Sequence, residues 1–196
     1  MVQRLSSVER KSQIIKATLD IISERGFGNI TTAEIANRVG ISEGAVFKHF
    51  SSKAEILQEV LIFIRNTLLP LAQNVAREEI SPDKKLKKIL YNKFQFFTMY
   101  PGVPKVIFSE QVHLADEYLK NLLLTTVKSY SQVIHNIIEE GMEKGLFKRD
   151  IDLQLATEAY LGLIQVNVFK WSLMGHTWCL TDRVDKIINY FIKTLL

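Results

Sequence analysis

Apolar residues recur along this chain at three- and four-residue spacing, and no stretch alternates with the period of two that marks a half-buried strand. Ile14, Ile15, Thr18, Leu19, Ile21 and Ile22 make the first stripe, opened by the capping-box pair Ser6 and Glu9 and closed by Gly26. Phe27 and Ile30 follow as apolar corners expected to lock this helix against the next. From 52 to about 76, Leu57, Val60, Leu61, Ile64 and Leu68 define a long connecting helix, in which Pro70 is expected to make a kink or an interruption. Ser81 and Pro82 open the next helix, which runs to about 100 on an apolar face of Leu86, Ile89, Leu90, Phe94 and Phe97. Its basic run, Lys84, Lys85, Lys87 and Lys88, reads as a solvated outer face. Pro101, Gly102 and Pro104 break the chain before a short segment at 106–108. A helix over about 115–144 then buries Leu119, Leu122, Leu123, Val127, Val133, Ile134, Ile137 and Ile138 and stops at Gly145. Asp150 or Asp152 caps another that reaches about 173. Thr181 and Asp182 cap a last helix ending in Ile187, Ile188, Phe191, Ile192, Leu195 and Leu196. The pattern predicts an all-α protein of about nine helices without internal repeats.

One stretch, 31–53, is denser in signals than the rest. Thr31 and Glu34 have capping-box spacing, Ile35, Ala36 and Val39 mark one helical face, and Gly40 follows where the chain needs positive φ. Ile41 plugs the corner. Ser42 caps a second short helix with Ala45, Val46 and Phe50 turned inward, and Ser52 and Glu55 repeat the capping spacing for the next. Helix, glycine turn, short helix is a helix-turn-helix, whose second helix enters the major groove of DNA.

The run G-I-S-E-G-A-V-F-K-H-F-S-S-K from Gly40 to Lys53, with Thr32 upstream and a supporting helix before it, resembles the DNA-binding segment of TetR-family transcriptional regulators. With that helix, the resemblance covers about the first third of the chain. It divides the chain into a three-helix DNA-binding domain at 1–53, with the 52–76 helix as connector, and a helical regulatory and dimerisation domain at 54–196. Position within the reading helix directs Ser42, Glu43, Gly44, Phe47 and Lys48 toward DNA, with Ala45 at the boundary. Thr32 and Ser42 sit at helix N-termini, where exposed amides favour a phosphate oxygen. The resemblance places Lys53 at the family's phosphate-binding lysine and His49 at its histidine. Phe47 departs from the usual tyrosine: it loses a hydroxyl donor and offers apolar contact, for instance to a thymine methyl. Glu43 is expected to accept from a cytosine amino group or to be held away from phosphates. Arg4, Arg10 and Lys11 read equally as phosphate neighbours or as solvated surface charge.

Composition adds limits. Hydrophobic residues make up 47% and charged residues 23%, ordinary for a globular protein. The net charge is +4, of which +3 falls on residues 1–53, in accord with a polyanionic partner. The lone cysteine, Cys179, reads as a small buried hydrophobe in a reducing, cytoplasmic setting, without an internal disulfide. The N-terminus has no signal-peptide pattern, and 161–169 is too short and too polar at Gln165 and Asn167 to span a bilayer, so no membrane partner is expected. His49, His113, His135 and His176 lie on separate elements with no metal-ligand spacing, and no phosphate loop or nucleophile elbow is present. No enzymatic activity, metal or cofactor is expected.

For the second domain, the resemblance implies a homodimer through the last two helices, carried by Leu155, Ala159, Leu163, Val166 and Phe169 on one and Ile187, Phe191 and Leu195 on the other. The residues read by themselves suit a monomer core as well. A dimer is needed because one reading helix touches one half-site of a palindromic operator. The aromatic residues of the remaining helices read as core or, as the resemblance implies, as the lining of an apolar pocket, with Phe94, Phe97, Tyr100, Phe108, His113, Tyr130, Gln165 and Trp171 as candidates for a small apolar or aromatic effector. The function that the resemblance implies is a transcriptional repressor released from its operator by that effector. The alternatives are a DNA-binding dimer without an inducer and a helical interaction or lipid-carrying module whose reader no longer binds DNA.

Overall fold

The computed structural model describes residues 6–110, 112 and 117–196. Among them lie nine α-helices and no strand: α1 (Ser7–Arg25), α2 (Thr32–Val39), α3 (Glu43–Phe47), α4 (Lys53–Ala76), α5 (Pro82–Met99), α6 (Gly102–Ile107), α7 (Glu117–Glu143), α8 (Leu153–Leu173) and α9 (Val184–Leu195). The chain forms two compact units. One comprises 1–64 and 100–122, the other 65–99 and 123–196.

In the first unit the predicted stripes close on one another: Ile14, Ile21, Ile22, Ile35, Val46 and Val60 are fully buried. The Ser6 capping box forms in both directions, with Glu9 N–H donating to Ser6 Oγ at 3.2 Å and Ser6 N–H to the Glu9 carboxylate at 2.8 Å. Helix α6 returns from the middle of the sequence to pack on α1. Gly102 makes this possible, because a Cβ there would fall 2.1 Å from the carbonyl oxygen of Leu19. Beside it, Lys105 Nζ donates to the Ser23 carbonyl at 2.6 Å, a cation in the last turn of α1 where the helix dipole favours it.

The second unit is built around α5, α7, α8 and α9, with Leu86, Phe94, Ile134, Tyr160 and Phe191 in its core. Tyr160 satisfies its buried hydroxyl by donating to the Leu86 carbonyl at 2.7 Å, and its ring packs on Phe191 at 5.3 Å. Lys148 N–H donates to the Leu195 carbonyl at 2.8 Å, which ties the end of α9 back to the turn after α7.

Several local expectations change. Pro70 does not interrupt α4; it sits on the exposed side of a continuous helix, where water can serve the carbonyl left without its donor. Lys85 is not solvated. Only 5% exposed, it is held by the Glu140 carboxylate at 2.8 and 3.1 Å, with Lys144 on the same carboxylate at 2.6 Å. Burial opposes ionisation of Glu140, but its bonds from Lys144 and Lys85 outweigh that and hold its pKa below the usual carboxylate range. Val127 is exposed, as is Cys179, whose Sγ lies 3.1 Å from the Thr181 hydroxyl. A 3₁₀ turn at Leu180–Arg183 precedes α9, so Thr181 and Asp182 lie within that turn rather than cap the helix.

Candidate nucleic-acid interface

The reading unit is set by its caps. Thr31 Oγ1 accepts the Glu34 N–H at 3.1 Å and opens α2; Ser42 Oγ accepts the Ala45 N–H at 3.2 Å and opens α3. Between them Gly40 takes the left-handed conformation (φ 75°, ψ 37°) and its neighbour Ile41 bonds back to Ala36, which turns the chain sharply. Two capping expectations are met only in part. The Glu34 carboxylate pairs with Arg25 instead of reaching back to Thr31, and that of Glu55 takes the Ser51 N–H and hydroxyl at 2.6 and 2.7 Å, one residue before Ser52.

Val46 and Phe50 are buried and fix the inner side of α3, so its other residues face outward. Ser42, Glu43, Gly44, Phe47 and Lys48 are exposed, while Thr32, Ala45, His49 and Lys53 are half-buried. All nine candidate DNA-contacting residues lie in the first unit. The Thr32 hydroxyl donates to the Glu43 carboxylate, which joins the start of α2 to the start of α3 and occupies the acidic group. His49 Nδ1 lies 3.3 Å from Ser7 Oγ, and Lys11 Nζ lies 5.1 Å from the centre of the Phe50 ring, so α1 steadies the turn after α3. Ser7 left no mark in the sequence, because its partner is 42 positions away.

Charge is sorted by partner. Arg38 is clasped by Glu24 through two bonds of 2.7 and 2.5 Å; the Arg38 bond is the main reason that the Glu24 carboxyl titrates low and the guanidinium high. Arg25 is likewise engaged with Glu34. Among the described residues, Lys48 and Lys53 have no carboxylate within ion-pair distance. These two cations remain available to an outside anion. Arg4 lies outside the described residues.

The expected dimer helices differ from each other. On α8, Leu155, Val166 and Phe169 are 61%, 45% and 50% exposed, and Ala159 is exposed as well. On α9, Ile187, Phe191 and Leu195 are buried within their own unit. A shallow groove between the two helices is lined by Leu155, Ala159, Gly162, Leu163, Tyr190 and Thr194.

The candidate pocket residues divide between the units. Tyr100 and Phe108 belong to the first, where Tyr100 meets Phe63 edge to face at 5.1 Å and Phe108 is 40% exposed. Phe94, Phe97, Tyr130 and Trp171 are buried in the second; Gln165 is exposed on α8. Trp171 Nε1 donates to the Trp178 carbonyl at 2.9 Å and its ring lies 4.2 Å from that of His176. His113 lies outside the described residues. The sequence reading passed over Lys93, whose Nζ lies 4.1 Å from the centre of the Tyr130 ring. Its position three residues after Leu90 and four after Ile89, on the apolar stripe of α5, was the available signal. Among the described residues no cluster of His, Cys, Asp or Glu could hold a metal, and no helix is long and apolar enough to cross a membrane.

Residues 14–60 match the family model of bacterial regulatory proteins of the tetR family, and residues 66–194 match that of the YsiA-like protein C-terminal region. The chain is 21% identical over 183 residues to the fatty acid metabolism regulator protein of Bacillus subtilis, covering 92% of this chain and 93% of that one. The fatty acid degradation regulator FadR of Bacillus halodurans shares its fold, with a TM-score of 0.83, 20% identity and coverage of 98% of both chains. So does the FadR of Bacillus subtilis solved in complex with stearoyl-CoA, with a TM-score of 0.80, 19% identity and coverage of 94% of this chain and 99% of that one.

Proposed function

This chain belongs to the TetR family of bacterial regulatory proteins, and from that premise we propose that it represses transcription as a homodimer on a palindromic operator and lets go when it binds an acyl ligand. The observation that carries the reading is the outward side of α3: Ser42, Gly44, Phe47 and Lys48 exposed, with Lys53 and Thr32 beside them and two lysines without an internal partner. Lys53, Thr32 and Ser42 would position the unit on phosphates; Gly44, Ala45, Phe47 and Glu43 would meet base edges, and His49, steadied by Ser7, would support the backbone contact. Reading by Glu43 requires exchange of its Thr32 hydroxyl for a base amino group.

Residues 1–53 serve as the reading domain, α4 as the connector, and 54–196 as the regulatory and dimerisation domain. Dimerisation uses the exposed side of α8 with the groove beside α9, where Ala159 and Gly162 leave room for a partner helix to approach closely. Two half-sites in successive major grooves then lie about 34–36 Å apart. The acyl class of ligand is suggested by the fatty-acid regulators among the similar proteins and by the apolar interior of the second unit. Such a ligand shifts the dimer only through its differential affinity for the DNA-competent and incompetent arrangements.

The test is a selection from random duplex DNA with the full chain. A palindromic consensus, protected by wild type and not by a Lys48→Ala/Lys53→Ala variant, supports the reading. Recovery of unselected sequence at low salt sinks it.

A further inference from the structure

Helix α5 carries two lysines on its apolar stripe that the structure treats differently, Lys85 buried and Lys93 half-buried. Lys85 has its carboxylate partner, Glu140. Lys93, two turns later, has none: among the described residues no carboxylate or other hydrogen-bond acceptor meets its ammonium, which lies over the face of Tyr130. Its neighbours on the α5 stripe are Ile89, Leu90, Phe94 and Phe97, all buried. The ring attracts the cation but leaves three N–H donors unanswered. Tyr130 is itself buried, and its hydroxyl has no protein partner among the described residues, whereas Tyr160 spends its own on Leu86. Two donors without a protein partner, one of them the ammonium of a half-buried lysine, therefore meet at the edge of an apolar core, neither of them sealed from solvent.

We propose that Lys93 and Tyr130 form the head-group site of the effector, taking an anionic group, a carboxylate or a phosphate, at the end of an apolar tail. The proposal rests on the reading of the protein as a ligand-released regulator and names the polar end of that ligand. The anion supplies the partner that Glu140 supplies to Lys85, and the Tyr130 hydroxyl adds one donor. The buried aromatic and aliphatic residues of α5 and α7 would receive the tail. The surroundings agree: burial lowers the Lys93 ammonium to about 8, so that it is still mainly charged at neutral pH, and pushes the Tyr130 phenol up, so that it stays a donor.

The experiment uses the full chain without DNA and three C16 probes: palmitate, palmitoyl-CoA and the neutral hexadecanol. Binding is followed by tryptophan fluorescence in wild type, Lys93→Met, Lys93→Gln, Lys93→Arg and Tyr130→Phe, each checked for a cooperative melt. Wild type should bind at least one anionic probe more tightly than hexadecanol. Lys93→Met and Lys93→Gln should lose roughly 10–100-fold for that probe, with hexadecanol changed less than about 2-fold; Lys93→Arg should retain most of the affinity, and Tyr130→Phe should lose a smaller factor. Loss for palmitate alone assigns a carboxylate, and loss for palmitoyl-CoA alone a phosphate. Equal affinity of the neutralised variants and wild type for both anionic probes overturns the proposal, as does a wild type that binds neither. A parallel measurement of DNA retention without ligand separates the outcomes, since retained operator binding with an unchanged Lys93→Met refutes the head-group site and leaves the repressor standing.

Discussion

The two compact units differ in where they leave a lysine without a carboxylate partner. The first keeps its ion pairs at the surface, Arg38 with Glu24 and Arg25 with Glu34, and leaves Lys48 and Lys53 unspent on the side that carries the reading helix. The second buries one ammonium, Lys85, against Glu140 and half-buries another, Lys93, over an aromatic ring. A surface cation suits a partner that is itself a large anion and arrives from solvent. A half-buried cation suits a small anion that sheds part of its water to reach it. Apolar exposure differs in arrangement: in the first unit Val8 and Phe47 stand on separate helices, while α8 of the second leaves Leu155, Val166 and Phe169 outside on one element.

The sharpest way to break this comparison is to charge the open side of α8. Leu155→Glu/Val166→Glu should turn a dimer into a folded monomer, since both side chains are exposed in the single chain, and reduce operator affinity by roughly 100-fold or more because one half-site is lost. Sedimentation beside DNA retention checks both parts. A dimer unchanged by the substitutions would move the interface elsewhere. Next in size is Lys48→Ala/Lys53→Ala, expected to weaken binding by roughly 10–100-fold and to flatten the dependence of log K on log salt by about 0.9 for each phosphate contact removed. A parallel salt dependence in the two proteins would mean that neither lysine meets phosphate.

Gly102→Ala probes the first unit from within. With the Leu19 carbonyl 2.1 Å from the new methyl, α6 must shift away from α1, and destabilisation of about 1–3 kcal/mol is expected in denaturant unfolding. Lys93→Met should act in the other direction. Because its folded-state pKa is depressed from 10.5 to about 8, the charged lysine costs stability fully below pH 8, and the cost is relieved as pH rises from 8 toward 10.5. The variant should therefore be more stable than wild type by about 1–2 kcal/mol at pH 7, with the gain shrinking above pH 8. A constant difference across that range would contradict the assigned burial. The smallest effect belongs to Arg38→Ala, which removes an exposed pair and should leave the denaturant midpoint almost unchanged.

How far the sequence was legible follows from where each signal is written. Caps are local, so Ser6 with Glu9, Ser42 with Ala45 and the left-handed Gly40 could be read within four residues, and the reading helix with them. Long-range pairings could not. His49 finds Ser7 across 42 positions, Lys85 finds Glu140 across 55, and Lys105 finds Ser23 across 82. Helical periodicity likewise identified the apolar faces of α8 and α9 but not which would be buried, since Leu155 and Phe191 look alike until the unit closes around one of them. Lys93 was missed for a related reason: a lysine on an apolar stripe counts as a break in the pattern, and only the arrival of Tyr130 above it turns the break into a site.

One titration tests the central claim most directly: fluorescence anisotropy of the selected palindromic duplex with the full chain at two salt concentrations, repeated with palmitate and with palmitoyl-CoA. Tight binding that falls steeply with salt and is reversed by an acyl probe, while a scrambled duplex stays weak, is the result expected of a ligand-released repressor. Equal affinity for both duplexes, or operator binding that neither acyl probe changes, would contradict it.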